Sequence, residues 1–437
     1  MKLIFQSPKG VPDILPEDQK YWDYIIDTVK NRCRSFGFEK IGLPVFEEAL
    51  LYQKGTGINT DIVQKEMYEV KRLIGDNDDL DEKNKKYALR PEFTPGIARA
   101  YLEHGMFTRP QPVKLLTIGQ VFRHDKPQKG RYRQLNQFDM EIIGNSDPLT
   151  DAVLLMMIWQ IYVDIGLKNE AILEINNIGC KKCQPKIRKK IISYFEPLQA
   201  KLCNKCQSRL YTNPLRILDC KNKNCQKIIT GMPHIIDLIC LECKKHFTSV
   251  LEHLDELKVP YDLNPFLVRG LDYYTLTTFE IKDKSDPTRQ FSFGGGGRYD
   301  NLIELYGGAS TPAIGFAGGI ERIAEKLKEM QINIPSHSKT DIFIVQIGTK
   351  AKKKALNLVA ELTEKKYRVS LALGKSTLSG QLRIANKLNA KLAIIVGEKE
   401  IIDQTYILKD MREATQETID RADLENYLNS KLNINEN

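Results

Sequence analysis

Residues 119–141 read GQVFRHDKPQKGRYRQLNQFDME, and the architecture of the chain is best inferred from this segment. Alternating apolar and polar residues predict two strands, over 114–123 and 134–143, joined by a loop rich in Lys and Arg. Because side chains of a strand alternate between its faces, three polar residues share one face: Gln137, Asp139 and Glu141. This face is either the exposed side of an antiparallel pair or the floor of a polar site.

Similar polar segments lie on both sides of this predicted hairpin. Upstream, the sequence LRPEFTPG at 89–96 places Glu92 and Thr94 between a predicted strand and a predicted helix. Three more segments follow downstream: LVRGLDYY at 267–274, GGGGRYD at 294–300 and GFAGGIER at 315–322. A glycine run by itself is typical of either a flexible turn or a binding loop. Four such segments in one chain favour a shared site over separate surface features.

The remaining periodicity predicts a mixture of helices and strands in the first three quarters of the chain. The predicted helices cover 17–36, 96–105, 150–165 and 318–330, and the predicted strands 38–47, 66–71, 87–90 and 266–282. Pro44 marks its strand as an edge or interface element, since proline cannot donate to a sheet ladder. A charged hairpin loop is predicted over 76–86.

The composition changes after residue 340. Strands predicted over 341–348, 367–373 and 391–397 alternate with helices over 351–365 and 378–388, which indicates a small α/β domain with a largely parallel sheet. The tripeptide Gly374-Lys375-Ser376 resembles the end of a P-loop. The motif requires a glycine five residues earlier, where this chain has Val369, so we reject a nucleotide-binding loop.

Composition and charge narrow the class of protein. The chain has 437 residues with 42% hydrophobic residues. Its longest apolar run, 152–159, is far shorter than the roughly 20 residues that span a bilayer. Gln6 and Pro8 interrupt the N-terminal apolar stretch, so we expect a cytoplasmic protein without a membrane segment. The net charge of +9 arises between 180 and 260, with sixteen Lys or Arg and seven Asp or Glu, which suits either nucleic acid or a solvated lysine-rich surface.

Eight of the nine cysteines lie within this basic segment, and Cys33 is expected to be a small buried hydrophobe. Close pairs separated by longer loops are typical of structural zinc sites, and eight thiolates suffice for two sites of four. Reduced cysteines without metal, or a redox role, are the alternatives, and the spacing does not decide which pairs share a metal. The candidate ligands are Cys180, Cys183, Cys203, Cys206, Cys220, Cys225, Cys240 and Cys243.

Taken together, these segments resemble the class II aminoacyl-tRNA synthetases, and among them the histidyl-tRNA synthetase family. The region around Pro44 resembles motif 1, residues 123–141 resemble motif 2, and residues 315–322 resemble motif 3. LVRGLDYY and GGRYD resemble the two signatures that separate the histidine enzymes from their class II relatives. The resemblance covers nearly the whole chain.

The resemblance implies an α+β fold, a homodimer and a defined reaction. The catalytic core, with a six-stranded antiparallel sheet, would comprise 1–175 and 261–333, the cysteine-rich insertion 176–260, and an α/β anticodon-binding domain 341–437. ATP with Mg²⁺ would activate histidine to histidyl-adenylate, and the histidyl group would pass to the 3′ end of the tRNA for histidine. The insertion would clamp the acceptor stem of that tRNA.

The resemblance also implies roles for individual residues. The catalytic residues would be Arg123, Arg269 and Arg322, of which the first two flank the α-phosphate and the third holds the γ-phosphate. Histidine would be bound by Glu92, Thr94, Arg123, Gln137, Glu141, Arg269, Tyr273 and Tyr274, with Glu141 and Tyr274 at the ring nitrogens. ATP would be bound by Arg123, Asp125, Arg131 and Arg322. The chain departs from the class pattern at Leu135, where an aromatic residue usually stacks on adenine, and at Lys126, where many relatives have Arg.

Two other classes share parts of this pattern. The synthetase-like regulatory subunit of histidine biosynthesis lacks the anticodon-type domain and parts of the histidine signatures, whereas this chain has both. Class II enzymes for proline, threonine or glycine share the C-terminal domain but lack the RGLDYY sequence. In the C-terminal domain, RNA contacts or ordinary surface roles are open for Lys375, Gln381 and Arg383.

Overall fold

The computed structural model describes residues 4–71, 85–128, 130–286, 291–334 and 340–432. The chain forms two compact units, Met1–Ile334 and Pro335–Asn437. The charged hairpin loop predicted over 76–86 falls almost entirely outside the described residues.

The first unit begins with a helix and then alternates between helices and strands. Its described helices are α1 (Pro16–Ser35), α2 (Ala49–Thr56), α3 (Thr94–Glu103), α4 (Pro148–Ile165), α5 (Gln184–Phe195), α6 (Asn204–Thr212), α7 (Lys223–Ile229), α8 (Ile235–Leu238), α9 (Leu241–Glu256), α10 (Leu302–Leu305) and α11 (Ile320–Glu329). Its described strands are β1 (Glu39–Lys40), β2 (Phe46–Glu48), β3 (Glu69–Val70), β4 (Tyr87–Leu89), β5 (Val113–Phe122), β6 (Gln134–Ile143), β7 (Ala171–Asn177), β8 (Tyr261–Leu263), β9 (Thr275–Asp283), β10 (Ser292–Arg298) and β11 (Ala313–Gly319).

Among the described residues, the main sheet has eight strands in the order β1-β5-β6-β11-β10-β9-β7-β8. The six strands from β5 to β7 are antiparallel to their neighbours. The edge strands β1 and β8 are short and pair in parallel. The predicted α+β class and its six-stranded antiparallel sheet are therefore confirmed, with a short parallel strand added at each edge.

One face of this sheet packs on helices and the other carries polar side chains. Phe138, Met140 and Phe316 belong to the same buried core as residues of α1, α4 and α11. Helix α4 is long and apolar enough to cross a membrane by length and composition alone, but half of it is buried inside this core. Its Asp151 is fully buried and paired with Arg298 of β10, as expected for the central helix of a packed domain.

Four local predictions require correction. The strand predicted over 38–47 is divided into β1 and β2 around Pro44, and the strand predicted over 66–71 shrinks to β3 after a π-helical turn, Ile62–Glu66. The strand predicted from residue 266 begins at Thr275, because 264–274 form a loop. The glycine run is the central strand β10, so the flexible-turn alternative was wrong.

The cysteine-rich segment lies between β7 and β8 and is built from α5 to α9. Apolar residues at helical spacing, such as Ile187, Ile191 and Phe195 of α5, are fully buried. They belong to one apolar cluster that also contains four buried cysteines: Cys183, Cys206, Cys225 and Cys243. The cluster also contains residues outside the segment, such as Phe93 and Tyr273, so the segment shares its core with the rest of the unit, and thiols replace part of the usual hydrocarbon.

Within residues 340–432 the second unit contains a five-stranded sheet in the order β13-β12-β14-β15-β16. Its elements are β12 (Ile342–Gln346), α12 (Thr349–Glu364), β13 (Val369–Leu371), α13 (Leu378–Lys387), β14 (Leu392–Val396), α14 (Glu398–Ile402), β15 (Thr405–Asp410), β16 (Gln416–Asp420) and α15 (Leu424–Lys431). The three predicted strands are parallel, and β15 and β16 add an antiparallel hairpin. Gln381 is 0% exposed and bonds the backbone of Gln346, so it is not available for RNA contact, whereas Lys375 and Arg383 are exposed.

Candidate active site

The polar face of the main sheet forms the floor of a cavity of about 1330 Å³. The loop 264–274 and part of the cysteine-rich segment provide its walls. The predicted site residues that line it are Glu92, Thr94, Arg123, Asp125, Arg131, Gln137, Arg269, Tyr273, Tyr274 and Arg322. The fold thus brings together residues from four separate segments of the sequence.

Glu141 lies just beneath this cavity instead of on its surface. It is buried on β6, and its two carboxylate oxygens accept hydrogen bonds from Thr94 Oγ1 (2.8 Å) and the Tyr299 hydroxyl (2.6 Å). A Cβ at Gly315 of the neighbouring strand would lie 1.7 Å from a Glu141 oxygen, so glycine is required there. The exposed-face alternative for Gln137, Asp139 and Glu141 was wrong, since all three are buried.

One end of the cavity is lined by tyrosines and buried acceptors. The Tyr273 hydroxyl donates to Glu92 Oε2 at 2.7 Å, and the Tyr273 ring contacts those of Tyr274 and Tyr299 at 4.6 and 5.8 Å between centroids. Glu92 Oε1 and Gln137 Oε1 are buried and have no hydrogen-bond partner among the described residues. Unpaired buried acceptors are costly, which favours a ligand that donates hydrogen bonds here.

The same end concentrates carboxyl groups in a desolvated setting. Burial raises the pKa of Glu92 to about 7, although the hydrogen bond from Tyr273 and the charges of Arg123 and Arg269 lower it. Burial raises the pKa of Glu141 to about 8, against the hydrogen bonds from Tyr299 and Thr94. Burial, with the neighbouring charge of Glu141, also raises the pKa of Asp139 well above its usual range. A cationic ligand would compensate these groups.

The other end of the cavity is cationic. Arg123 follows β5 and is positioned by a hydrogen bond from its Nε to the Pro91 carbonyl (2.8 Å). Arg322, in the first turn of α11, donates to the Gly130 and Ser292 carbonyls and lies over the Phe291 ring. Burial and the charges of Arg131 and Arg123 lower the pKa of Arg322. These guanidinium groups repel one another unless an anion lies between them.

Arg269 connects the two ends of the cavity. It forms an ion pair with Glu280 of β9 and lies over the Tyr274 ring at 5.8 Å. Although burial opposes ionisation, Arg269 and Lys282 lower the pKa of Glu280, which is therefore a carboxylate at neutral pH. A Cβ at Gly295 would lie 2.4 Å from Arg269 Nη1, so the glycines of β10 provide the space in which this side chain lies.

Three residues of the site were not assigned from the sequence: Glu280, Lys282 and Tyr299. All three line the cavity. Glu280 and Lys282 alternate with buried Phe279 and Ile281 on β9, a signal that would have placed them on the polar face. Tyr299 stood in the GGRYD signature without a role, and nothing in the sequence indicated its bond to Glu141.

The cysteines form two groups of four whose sulfur atoms all lie within 4.8 Å of one another. The first group joins Cys180 and Cys183 to Cys240 and Cys243, and the second joins Cys203 and Cys206 to Cys220 and Cys225. Measured Sγ···Sγ distances are 3.4–3.8 Å. A tetrahedral site with Zn–S bonds of about 2.3 Å has sulfur–sulfur edges of about 3.8 Å, so both groups fit such an ion.

Backbone N–H groups support the cysteine sulfurs in both groups. The Cys240 N–H donates to Cys183 Sγ (3.1 Å) and the Cys203 N–H to Cys225 Sγ (3.2 Å). Both donors are the residues that precede helices α9 and α6, where the helix dipole favours thiolate.

Comparisons with known proteins place this site within a class. Residues 68–295 match the family model described as the tRNA synthetase class II core domain (G, H, P, S and T), and residues 341–431 match that of an anticodon-binding domain. The protein therefore contains the class II aminoacyl-tRNA synthetase core predicted from the motifs, followed by an anticodon-binding domain.

Relatives that match nearly the whole chain identify the family within this class. The chain is 42% identical to a histidine–tRNA ligase of Dehalococcoides mccartyi, over 95% of this chain and 97% of that protein. It is 40% identical to a histidine–tRNA ligase of Desulforamulus reducens, over 98% and 100%. The crystal structure of apo S. aureus histidyl-tRNA synthetase superposes with a TM-score of 0.80 at 33% identity, covering 97% of this chain and 99% of that one. The chain belongs to the histidine–tRNA ligase family, as the two histidine signatures predicted.

Proposed function

We propose that the cavity of the main sheet is where this histidine–tRNA ligase performs both steps of its reaction, on histidine, ATP and the tRNA for histidine. The ligase activity is that of the family, and the assignment of steps to residues is our inference. The observation that carries it is the convergence of Arg123, Arg269 and Arg322 in one cleft beside buried carboxyl groups.

The arginines suit the first step for electrostatic reasons. A carboxylate oxygen of histidine forms a bond to the α-phosphorus of ATP while the bond from that phosphorus to pyrophosphate breaks, so two anions must approach. Fixed cations at this point lower the barrier, and guanidinium binds phosphate in a bidentate manner. We assign Arg123 and Arg269 to the α-phosphate and Arg322 to the γ-phosphate.

The acceptor-rich end of the cavity suits the histidine side chain and its ammonium group. We assign the ammonium group to Glu92 Oε1, Gln137 Oε1 and Thr94, because the two unpaired oxygens need donors. Tyr273 forms a wall of this pocket. Glu141 and Tyr274 are assigned to the ring nitrogens, and for Glu141 this requires that the ring replaces one of its present hydroxyl donors. An apolar competitor would leave these groups unpaired.

The end of the cavity that would hold adenine is lined by the loop of motif 2. Arg131 forms an ion pair with Asp125 at 3.2 Å, which orders this loop beside Arg322. Leu135 also lines the cavity, so an apolar contact with the base takes the place of aromatic stacking. When ATP is bound, Mg²⁺ would neutralise its β- and γ-phosphates. Glu280 and Glu321 are two of the carboxylates that line the cavity, and they would hold the ion.

In the second step the terminal ribose hydroxyl of the tRNA attacks the adenylate carbonyl and AMP leaves. The excess of positive charge over 180–260 supports a role of the insertion on the acceptor stem. The match of residues 341–431 to an anticodon-binding domain supports contact with the other end of the tRNA.

We further propose that each cysteine group holds a structural zinc ion. Eight clustered free thiols, four of them buried, support this assignment, since a bound metal adds folding energy to the part of the chain that holds it. Metal analysis should find two zinc ions per chain, and Cys203→Ser should retain one. Absence of zinc together with eight thiols reactive in the folded protein would contradict the proposal.

A cytoplasmic homodimer is proposed on separate grounds. The motif 1 region exposes Val45, Phe46 and Leu50, and contiguous exposed apolar residues are typical of an interface. Reduced cysteines suit the cytoplasm. Light scattering of the purified protein should give twice the chain mass of 50.0 kDa, and Phe46→Glu should give the chain mass.

Aminoacylation of total tRNA with each labelled amino acid tests the substrate assignment, and histidine alone should be transferred. Arg269→Ala should reduce histidine-dependent pyrophosphate exchange by several orders of magnitude. A near-normal exchange rate in this variant would reject the assignment of the arginine.

A further inference from the structure

The second cysteine group forms part of the wall of the catalytic cavity. Two of its members, Cys203 and Cys220, line the same cavity as Arg322, together with Asp219, Lys221 and Asn222. The first cysteine group contributes no lining residue among those described. The two groups therefore differ in position: one stabilises the insertion away from the cleft and the other borders it.

Contacts with the core fix this part of the insertion in place. Asp61, next to the π-helical turn of the core, forms ion pairs with Arg209 (2.5 Å), Lys205 (3.2 Å) and Arg216 (3.7 Å) of the insertion. Although burial opposes ionisation, Arg209 and Lys205 lower the pKa of Asp61, so the carboxylate persists at neutral pH. A partly buried network of this kind is more effective than an isolated surface pair.

A second contact ties the insertion to the histidine signature. Asn213 Nδ2 donates to Asp272 Oδ1 at 2.8 Å, on the loop that also carries Arg269. The insertion is thus fastened to the core at Asp61 and at Asp272, through residues that shortly precede segment 219–222 in the sequence.

Lys221 extends this arrangement to the phosphate end. Lys221 lines the cavity together with Arg131, Lys282 and Arg322, and Asp219 is the acidic neighbour on its own segment. Four cations therefore line one cavity, together with carboxylates that include Asp125, Glu280 and Glu321. Like charges gather in a cleft at a cost unless a polyanion occupies it.

We propose that Lys221 binds the β- or γ-phosphate of ATP, so that the insertion contributes a side chain to the first step of the reaction. This inference rests on the proposed function of the cavity. Lys221 would act with Arg322 on the pyrophosphate that leaves, and Cys220, as a ligand of the second metal, would hold its backbone in place. The cysteine group nearest the cleft thereby gains a role in nucleotide binding.

The test is the kinetics of pyrophosphate exchange by Lys221→Ala in the full-length protein. A charge-assisted hydrogen bond to phosphate accounts for about a tenfold change in affinity. We expect the KM for ATP to rise about tenfold while the KM for histidine is unchanged. Lys221→Arg should retain most of the wild-type affinity. The matched control is Lys223→Ala, since Lys223, the first residue of α7, is exposed like Lys221 but does not line the cavity.

A second measurement tests nucleotide binding at Lys221 without relying on enzyme activity. Amine-reactive labelling mapped by mass spectrometry should show Lys221 protected by ATP, or by pyrophosphate alone, and Lys223 unprotected. The proposal is overturned if Lys221→Ala keeps the wild-type KM for ATP, or if both lysines are labelled equally with and without nucleotide. Failure of the proposed function would differ, because the wild-type protein itself would then show no histidine-dependent exchange.

Discussion

Replacement of Glu92 by Gln tests the histidine pocket most directly. The change keeps the size of the side chain and an acceptor for the Tyr273 hydroxyl, but it removes the negative charge and places an amide donor beside the substrate ammonium group. Loss of one charge-assisted hydrogen bond in a desolvated site costs about 1.5–3 kcal/mol. The KM for histidine should therefore rise about 10- to 100-fold, while the KM for ATP is unchanged.

The pH dependence of the wild-type protein gives the second part of this test. Burial raises the pKa of Glu92 to about 7. Roughly one carboxyl in eleven is then ionised at pH 6, half at pH 7 and ten in eleven at pH 8. On the proposed assignment the ionised form binds the ammonium group, so the KM for histidine should fall about fivefold from pH 6 to 7 and less than twofold from pH 7 to 8.

Histidine itself titrates near pH 6.5, so the wild-type profile must be compared with that of Glu92→Gln, which retains only the contribution of the ligand. Tyr273→Phe provides a further check. Its hydroxyl lowers the pKa of Glu92, so its removal should move the inflection to higher pH. Pyrophosphate exchange measured at several histidine concentrations between pH 6 and 8 gives all three profiles.

Thermal unfolding separates a binding role from a structural one. The folded-state pKa of Glu92 lies above the unfolded value of about 4.3, so this carboxyl makes the fold less stable as pH rises from about 4 to about 7. Gln does not ionise, so Glu92→Gln should melt no lower than the wild-type protein at pH 8. A variant with an unchanged KM and an unchanged pH profile would refute this reasoning, and so would a variant that melts far below the wild type.

Three other substitutions test different parts of the structure. Arg322→Ala should lower kcat/KM for ATP about 100-fold in pyrophosphate exchange, with the KM for histidine unchanged; an equal loss for both substrates would contradict its assignment. Arg298→Met leaves a buried carboxylate of α4 without its main cation, so the free energy of unfolding should fall by about 3–5 kcal/mol in a denaturant titration; an unchanged midpoint would show that this pair is dispensable. Gly295→Ala would place a Cβ 2.4 Å from Arg269 and should reduce adenylate formation at least about tenfold with little change in melting temperature. Gly42→Ala, with nothing within 4 Å of the added Cβ, is the control and should behave as the wild type.

The sequence predicted most of the first unit because its strands alternate regularly. Strand β6 has the predicted bounds, and β5 differs from its prediction by one residue at each end. Alternation also placed Gln137, Asp139 and Glu141 on one face. It could not say that this face is covered, because the covering groups, such as Tyr273 and Tyr299, come from loops more than 130 positions further along the chain.

The pairing of the cysteines shows the same limit. Four close pairs can be combined into two sites in three ways, and their spacing alone does not favour any of them. The structure nests the second and third pairs inside the first and fourth. This choice depends on α9, which brings Cys240 and Cys243 back beside the start of α5. The path of the five helices α5 to α9 determines which cysteine pairs meet, and local sequence patterns do not predict that path.

The meeting of the three arginines follows partly from sheet topology and partly from a loop. Strands β5 and β11 are both antiparallel to β6, so they run in the same direction. Their carboxyl ends therefore lie at the same end of the strands of the sheet. Arg123 follows the first of these ends and Arg322 the second, and their proximity could be derived once the strand order was known. Strand β9 also runs in this direction. Because Arg269 precedes β9, it would be expected at the opposite end of the strands. Its loop folds back along the sheet so that Arg269 pairs with Glu280 near the far end of β9, and the missing side chain of Gly295 leaves space for the guanidinium group. Gly295 is thus the local feature on which the position of the third cation depends, although in a sequence a glycine run alone is typical of either a flexible turn or a binding loop.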